Sequence, residues 1–357
     1  MRPLRIVNVN TWIGSLVRGL TGVVSIEPEG HKRKRYEALL AELRARDPDV
    51  VTLQECLPLP TFVSDLARDL GYDCLWRVSN SGMRVLGAGL PWGIGRGEGV
   101  AILARRDVGL TSLGTLRLSG SGFVTNWAAF QWGPVRYALA GRVTIDGQPV
   151  VVACAHVRYG FPNQRAFDVA WETLAVNGVV DTPQPPASIV KMTHKNRAER
   201  DVELDRLQRW LRELQAREGA PLVLGADLNL DPDTPEVRRF TNQMRFANAL
   251  PAVQPDARTW DPDKNPNVGY GTIHHWPDGA PKPLVLKLMA YLDSVPQCPD
   301  HVMLSEDLEL VAAGIACGEA HDGVFASDHY GIWAEMKVAA GAGRPAARSP
   351  QGEVLQT

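Results

Sequence analysis

Polar side chains stand at the ends of several apolar, strand-like runs of this 357-residue chain. Buried strands seldom end in carboxylates, amides and imidazoles unless those groups meet at a site, because each group costs free energy when it leaves water unpaired. The sequence therefore predicts that these strand ends converge. The residues concerned are Asn8, Asn10, Glu55, His156, Asp227, Asn229, Asp328 and His329.

Together with Asp300, the residues named above supply hard oxygen ligands and two imidazoles. They include no cluster of thiolates. Carboxylate and amide oxygens suit Mg²⁺, with Mn²⁺ or Ca²⁺ as alternatives, rather than zinc. A hard cation beside histidines is typical of phosphoryl chemistry, since the ion stabilises the leaving oxyanion while a base prepares the attacking water. We therefore expect a Mg²⁺-dependent hydrolase of phosphate esters.

Each of these residues also has an ordinary structural interpretation. Asn10 is of a type that is common in turns, and His156 is compatible with a hydrogen-bonded histidine in the interior. The pair Asp328-His329 is compatible with a capping pair at the end of a secondary-structure element. Glu55 at a strand end suits the surface, although the apolar Cys56-Leu57-Pro58 that follows indicates burial. The site interpretation is favoured because all of these residues occur together.

Hydrophobic periodicity predicts strands that alternate with helices. Strands are predicted at residues 4–10, 50–55, 99–104, 123–131, 135–145, 149–156, 222–227, 300–304 and 331–338. Helices are predicted after the basic cluster 31–35, at 61–70 and at 197–214, whereas the proline-containing stretch 161–193 is predicted to be a long loop. The basic cluster is unfavourable at a helix N-terminus, so it either faces solvent or meets a carboxylate or ligand.

This order of elements indicates an α/β fold in which two sheets are covered by helices. No boundary separates two independent cores, so a single domain is expected over residues 1–338. Residues 339–357, rich in Ala, Gly, Pro, Arg and Ser, are expected to form a disordered tail.

The composition is that of an ordinary soluble globular protein, with 45% hydrophobic and 22% charged residues. A net charge of −2 argues against a protein that coats nucleic acid, although it is compatible with a local basic groove. Five scattered cysteines without metal-ligand spacing favour a reduced interior. Without a signal-peptide pattern or an apolar run of ~18 residues, we expect a cytoplasmic protein. Secretion stays open if a leader is missing from the sequence, and no obligate protein partner is inferred.

Taken together and in order, the polar motifs resemble those of the endonuclease/exonuclease/phosphatase superfamily. The resemblance extends from about residue 4 to about residue 338, and the order of the motifs makes it specific. It implies a four-layer α/β/β/α sandwich of two mainly antiparallel sheets flanked by helices. The motifs are Asn8-Val9-Asn10-Thr11-Trp12, Leu53-Gln54-Glu55, Ala155-His156-Val157, Gly225-Ala226-Asp227-Leu228-Asn229 and Ser327-Asp328-His329.

The resemblance also implies roles for the metal ligands and for the residues that handle water. Glu55 corresponds to the principal metal carboxylate, assisted by Asn10, and Asp328 to a further ligand. Asp227 is expected to orient or deprotonate the attacking water, and Asn229 to hold that water or a phosphate oxygen.

Two histidines complete the implied catalytic set. His156 is expected to donate to the phosphoryl oxygen that gains charge, and His329 to act on the scissile phosphate or the water. Asp300 corresponds to the aspartate that orients His329. Two further carboxylates are supporting candidates, Glu98 as a partner of His156 and Asp293 as the competitor of Asp300. Asn8 is a third supporting candidate.

Two departures from the family pattern matter. Cys298 stands where the family often has arginine, two residues before Asp300, and this keeps Asp293 in competition. Gly225 lies one position further from Asp227 than in the common family motif, which hardly affects Asp227.

The resemblance defines the reaction better than the substrate. Residues 8–14 are similar to the corresponding segment of neutral sphingomyelinases, and tryptophans in predicted loops would suit a lipid interface. The first hypothesis is therefore a sphingomyelinase-like lipid phosphodiesterase with a peripheral membrane contact. The same tryptophans would equally suit packing at the rim of the fold. The residues concerned are Trp12, Trp92, Trp260 and Trp276.

Three alternatives remain. A DNA endonuclease, exonuclease or DNA-end-processing enzyme would use a basic groove around the His156 loop. An inositol phosphate phosphatase would need basic residues focused on several phosphates. A catalytically inactive binding module is disfavoured because the catalytic motifs are intact. The residues predicted for the groove are Arg158, Arg165, Lys191, Lys195, Arg197 and Arg200.

Overall fold

A computed structural model describes most of the chain. The described residues are 2–14, 16–19, 22–25, 27, 29–80, 83–85, 88–89, 97–126, 128–131, 135–270 and 284–339. The predicted tail lies outside these ranges except for its first residue, as do most of the loop around Trp92 and the segment containing Trp276.

The described chain alternates strands and helices from end to end. The strands, numbered in chain order, are β1 Leu4–Asn10, β2 Leu16–Gly19, β3 Gly22–Ser25, β4 Val50–Cys56, β5 Tyr72–Asn80, β6 Met83–Val85, β7 Ala88–Gly89, β8 Glu98–Arg105, β9 Thr111–Ser119, β10 Gly122–Val124, β11 Ala129–Gln131, β12 Arg136–Ile145, β13 Gln148–His156, β14 Leu222–Asp227, β15 Ala247–Asn248, β16 Asp300–Leu304, β17 Leu308–Ala316 and β18 Gly331–Val338. The helices are α1 Glu29–Arg46, α2 Thr61–Leu70, α3 Gln164–Val176, α4 Ala187–Glu218, α5 Pro235–Met244, α6 Ala249–Val253, α7 Pro266–Tyr270 and α8 Leu284–Asp293, with a 3₁₀ turn at Arg106–Val108. No described helix is long and apolar enough to cross a membrane.

Two six-stranded sheets form the centre of the fold. The first sheet has the order β17-β18-β1-β4-β8-β5 and the second the order β15-β16-β14-β13-β12-β9. Within each sheet one central pair is parallel, β1 with β4 and β13 with β14, and the other pairs are antiparallel. The predicted arrangement of mainly antiparallel sheets is therefore confirmed.

The core has three layers of apolar side chains. Ile6 and Ile102 of the first sheet pack between the sheets against Val152 and Val223 of the second. The outer face of the first sheet packs on α1 and α2, and that of the second on α4 and α5. Each sheet thus buries both faces, which confirms the four-layer sandwich.

The predicted long loop at 161–193 is wrong, because most of it is helical. Asn163 caps α3 by accepting a hydrogen bond from the backbone N–H of Ala166 at 2.8 Å. Pro183, Pro185 and Pro186 stand in the link between α3 and α4, and Pro186 directly precedes α4. The helix was readable from residues spaced i, i+3, i+4 and i+7, all of which are buried. These are Phe167, Ala170, Trp171 and Leu174.

Candidate active site

Three of the predicted residues reach one edge of the sandwich through simple strand alternation. Asn10 lies on the same face of β1 as Ile6, His156 on the same face of β13 as Val152, and Asp227 continues the equivalent face of β14. All three therefore face the space between the sheets. His156 and Asp227 are paired in register, and Asp227 in turn pairs with the first residue of β16, Asp300.

Glu55 reaches the same edge through a β-bulge. Alternation alone would place its side chain with Leu53, which faces the helices. However, Leu53 pairs with Ala101 and Cys56 pairs with Gly99, so β4 carries one extra residue there, and Glu55 has a left-handed φ of 55°. Bulges redirect side chains in this way. The carboxylate of Glu55 consequently lies beside the site.

Short distances connect Glu55, His156, Asp227 and Asn10. His156 Nε2 lies 3.9 Å from Glu55 Oε1 and 3.6 Å from Asp227 Oδ2. Asn10 Nδ2 donates a hydrogen bond to Asp227 Oδ2 at 2.9 Å. One pocket wall is therefore built from strands of both sheets.

Asn229 follows β14 and, like Glu55, has a left-handed backbone, with φ of 53°. Its backbone N–H donates to Asp227 Oδ1 at 2.8 Å, and its Nδ2 donates to the carbonyl oxygen of Val157 at 2.9 Å. Non-glycine residues adopt this conformation at an energetic cost, and it is frequent at functional sites. The conformation turns the Asn229 amide towards the pocket while its N–H fixes the Asp227 carboxylate.

Of the two aspartates that the sequence offers for orienting His329, Asp300 is the one in contact with its ring. The distance between His329 Nδ1 and Asp300 Oδ2 is 2.8 Å. Asp293 instead accepts a hydrogen bond from the hydroxyl of Tyr159. The ring of Trp260 meets the His329 ring edge-to-face, with centroids 4.9 Å apart.

Burial and neighbouring charge displace the pKa of Asp227 upward. Burial raises the pKa of Asp227 to about 7, the charge of Asp300 adds to this, and His329 together with the bonds from Asn10 and Asn229 opposes it. A carboxyl group with a pKa near neutrality can both hold and release a proton under ordinary conditions.

The two pocket histidines are shifted in opposite directions. Burial lowers the pKa of His156 well below its usual value, and the charges of Arg136 and His329 lower it further. Burial also lowers the pKa of His329, but the charges of Asp300 and other carboxylates outweigh it and raise that pKa well above the usual value. The surroundings thus favour the neutral form of His156 and the protonated form of His329.

The residues predicted to bind a metal ion suit a hard divalent cation. Burial raises the pKa of Asp328 to about 7, the charges of His329 and Arg35 oppose the rise, and the charge of Glu55 adds to it, so the two carboxylates repel each other. A cation bound between them would relieve this repulsion, and its preferred ligands are oxygens. Asn10 differs from the prediction in one respect, because its Oδ1 accepts a bond from the Trp12 backbone N–H and its Nδ2 contacts Asp227.

A second group of possible ligand atoms comes from Asp227, Asp300 and His329, whose atoms lie within 4.8 Å of one another. We assign this spacing to the hydrogen bond between His329 and Asp300, which already occupies both partners. Asp300 Oδ1 is nevertheless buried without a partner among the described residues.

Comparison with known proteins agrees with this geometry. The model of the Endonuclease/Exonuclease/phosphatase family matches residues 17–329. The chain belongs to this family. No curated protein matches the chain in sequence. Members of the family are hydrolases of phosphate esters and generally depend on a divalent metal ion.

Solved structures share the fold of this family member at low identity. Zebrafish TDP2 bound to a single-strand DNA product has a TM-score of 0.56 at 17% identity, covering 94% of this chain and 99% of that one. The human Nocturnin catalytic domain with bound sulfate has a TM-score of 0.55 at 14% identity, covering 95% and 96%. The Bacteroides thetaiotaomicron mannosyl-6-phosphatase Bt3783 has a TM-score of 0.56 at 15% identity, covering 94% and 99%.

Two supporting candidates of this family member lie away from the catalytic contacts described above. Asn8 is fully buried between the sheets, where its Oδ1 accepts hydrogen bonds from Thr52 Oγ1 at 2.9 Å and from Gln54 Nε2 at 2.8 Å. Glu98 accepts a bond from Asn80 Nδ2 at 2.9 Å. The proposed partnership of Glu98 with His156 stays a prediction.

Three residues that line the pocket were not among the predicted site residues, although Trp260 was considered for a lipid interface. Arg136, Tyr159 and Trp260 line a cavity of ≈ 250 Å³ together with the catalytic residues. Arg136 opens a strand and resembles an ordinary edge residue, yet its Nε is buried without a hydrogen-bond partner among the described residues. Tyr159 lies three residues after His156, and this spacing was the available signal.

Proposed function

We propose that this protein hydrolyses a phosphodiester with an activated water molecule and a divalent cation, Mg²⁺ being the best candidate. The observation that carries the proposal is the convergence of Glu55, His156, Asp227 and His329 from two sheets on one cavity. Asp300 orients one imidazole of this set through a 2.8 Å contact with His329. Such a constellation supports phosphoryl transfer to water rather than binding alone.

The residues divide the reaction between them. Asp227, with its raised pKa, accepts the proton of the attacking water, and Asn229 holds that water or a phosphate oxygen. Glu55 and Asp328 would hold the cation, which would polarise the phosphoryl group and stabilise the leaving oxygen. His156 remains neutral and donates a hydrogen bond to the phosphoryl oxygen that gains charge.

The remaining positive charges lie where the phosphate would bind. His329 is protonated and donates from Nε2, because its Nδ1 contacts Asp300. Arg136 adds a guanidinium to the same cavity, suited to a phosphate oxygen. One guanidinium and one imidazolium match a single phosphodiester group.

For the substrate class we propose a lipid phosphodiester, of the sphingomyelinase-like kind indicated by the segment at 8–14. The described cavity lining supports this over an inositol polyphosphate, because Arg136 is the single lysine or arginine in it. Support for a membrane contact from tryptophans is limited. Trp12 is buried, with the Arg35 guanidinium 4.4 Å above its ring, and Trp260 belongs to the cavity.

A nucleic-acid substrate is the second candidate, favoured by the similarity in fold to TDP2 bound to a DNA product. The basic residues predicted for its groove are largely engaged within the protein. Arg200 is buried and donates to the carbonyl oxygens of Gly160 and Phe161 at 2.9 Å, and Arg158 pairs with Glu199 at 3.0 Å. The exposed Arg165 and Lys191 remain for such a groove.

A substrate panel tests the proposal. Bis(4-nitrophenyl) phosphate, sphingomyelin vesicles, single-stranded and plasmid DNA and inositol phosphates would each be assayed with chelator and with Mg²⁺ restored. We expect chelator-sensitive turnover of the simple diester and of the lipid. Activity on DNA that falls steeply with salt would favour the second candidate, since phosphate contacts release counterions. Turnover unaffected by chelator, or none on any ester, would overturn the proposed reaction.

A further inference from the structure

Beside His329 the cavity has a wall made of two aromatic rings and a carboxylate, none of which the proposed reaction uses. Tyr159, Trp260 and Asp293 all line the same cavity as the catalytic residues. The Tyr159 hydroxyl donates to Asp293 Oδ1, and Trp260 Nε1 donates to the backbone oxygen of Asp293 at 2.8 Å. The three residues therefore form one connected unit.

This wall is held in place by the backbone. Gln297 N–H donates to the Trp260 carbonyl oxygen at 2.9 Å, and Trp260 N–H donates to the Gln297 carbonyl oxygen at 3.0 Å. The N–H of Tyr330, next to the catalytic His329, donates to the carbonyl oxygen of Thr259 at 2.6 Å. The aromatic wall and the catalytic histidine are consequently fixed relative to each other before any ligand arrives.

Asp293 supplies negative charge to this wall. Its carboxylate makes no ion pair with a lysine or arginine among the described residues, and the charged group that acts on it most directly is His329. Burial raises the pKa of Asp293 to about 6, while the Tyr159 hydrogen bond and the His329 charge oppose the rise, so the group is ionised at neutral pH. The Asp293 carboxylate accepts a hydrogen bond from the Tyr159 hydroxyl and shares the cavity lining with two aromatic rings, so a cation in the cavity would balance its charge.

Aromatic faces and a carboxylate together are the chemistry that recognises an alkylammonium group. The rings attract the cation through their quadrupoles and tolerate methyl groups, while the carboxylate balances the charge without requiring an N–H donor. A polyanion would be disfavoured at the same place, because a second phosphate would approach Asp293. Phosphate beside the catalytic groups and ammonium on this wall would fit within one cavity.

We propose that Tyr159, Trp260 and Asp293 form a subsite for a cationic substituent, a quaternary or primary ammonium group carried by an alcohol esterified to the phosphate. The proposal rests on the proposed phosphodiester hydrolysis and narrows its substrate class to zwitterionic phosphodiesters. The ammonium group stays with the phosphate when the other ester bond is broken.

A pair of esters that differ only in charge tests this subsite. One is 4-nitrophenyl phosphorylcholine, a zwitterion, and the other is its isostere 4-nitrophenyl 3,3-dimethylbutyl phosphate, in which carbon replaces the quaternary nitrogen and the alkyl group carries no charge. We expect kcat/KM to favour the zwitterionic ester by about 10-fold, the scale of one desolvated cation–π contact with a counter-charge. In the Asp293→Asn variant, which keeps an acceptor for Tyr159, the ratio of the two kcat/KM values should fall to about 1.

Binding provides a readout that does not depend on turnover. Calorimetric titration with phosphocholine and with 3,3-dimethylbutyl phosphate should give tighter binding of phosphocholine, the ligand that carries the ammonium group, and Asp293→Asn should remove the difference. Asp263→Asn, which changes an exposed carboxylate outside the cavity, is the matched control and should retain the preference. Equal binding of both ligands by the unaltered protein, or an equal loss for both in Asp293→Asn, would overturn the subsite. Failure to hydrolyse either ester would instead count against the proposed function.

Discussion

Asn8 and Asn10 lie two residues apart on the same face of β1, yet their surroundings differ completely. Asn8 is fully buried, and its Oδ1 accepts bonds from Thr52 and Gln54. Its Nδ2 donates to the carbonyl oxygen of Ala226 on the facing sheet at 3.4 Å. Asn10 contacts the reactive carboxylate of Asp227. Two residues along the strand thus separate a buried polar layer between the sheets, called the inner layer and formed around Asn8, from the edge of the cavity that faces substrate. That edge, which includes Asn10 and Asp227, is called the rim.

The difference lies in how completely the polar groups are paired. In the inner layer most donors and acceptors of the two sheets satisfy each other, Gln54 Oε1 being an exception among the described residues, so the layer contributes to the register of the sheets. At the rim the groups are left with spare capacity, as in the unpaired Asp300 Oδ1 and the raised pKa values of Asp227 and Asp328. Substitutions should therefore affect stability in the inner layer and rate at the rim.

The largest expected effect is at the rim. Glu55→Gln removes the charge that the predicted cation needs but keeps an oxygen for the Ile13 N–H, which Glu55 Oε2 accepts at 3.2 Å. We expect turnover to fall by about 10³-fold, within the range for loss of one catalytic group, with little change in thermal midpoint. Glu335→Gln, on the same sheet but paired with Arg5, is the matched control and should leave the rate unchanged. Near-full turnover by Glu55→Gln would reject the metal assignment.

The next effect belongs to the inner layer and concerns Gly225. A Cβ at this position would lie 2.0 Å from Thr52 Oγ1 and 2.8 Å from Asn8 Oδ1, which is too close for either atom. Gly225→Ala should therefore reduce the free energy of unfolding by about 3 kcal/mol, as overpacking of a rigid core does. Urea denaturation measures this loss. In the double variant with Thr52→Ala part of it should be recovered, and purely additive losses would contradict the proposed clash.

This contrast also marks the limit of what sequence can predict. The positions of Asn10, His156 and Asp227 follow from alternation along strands that are recognisable as strands. The direction of Glu55 does not, because it depends on a bulge that arises from pairing with β8, a strand remote in sequence. The role of Arg136 cannot be predicted from sequence for the same reason, since its place in the cavity depends on which strands become neighbours.

Asn8 tests whether the inner layer serves structure alone. Asn8→Ala leaves the hydroxyl of Thr52 and the amide of Gln54 without their common acceptor, so we expect a loss of about 2 kcal/mol in unfolding free energy. Activity per folded molecule should stay within about 2-fold of the unaltered protein at a temperature where both are folded. A large fall in kcat with unchanged stability would move Asn8 from the structural layer to the catalytic rim.

The smallest expected effect concerns His301, which adjoins Asp300 but faces the opposite side of β16. Its Nδ1 lies 2.8 Å from Asn248 Nδ2 and its Nε2 lies 2.9 Å from the carbonyl oxygen of Leu230, which favours the neutral ring with the proton on Nε2. Burial lowers the pKa of His301 from 6.5 to about 4, although the Leu230 contact and the charge of Asp300 oppose this.

The sign of the resulting pH dependence follows from proton binding. Between the unfolded pKa of 6.5 and the folded pKa of about 4, the unfolded chain holds the His301 proton and the folded protein does not, so stability falls as pH falls. The loss attributable to this residue between pH 6.5 and roughly pH 5.5 should be about 1 kcal/mol. Urea denaturation of the unaltered protein and of His301→Gln at both pH values isolates this loss, because the other titrating groups are common to both proteins and glutamine does not titrate. If both proteins lost the same stability on acidification, His301 would carry a proton in the folded state, and the distinction between a neutral structural histidine and the charged catalytic His329 would fail.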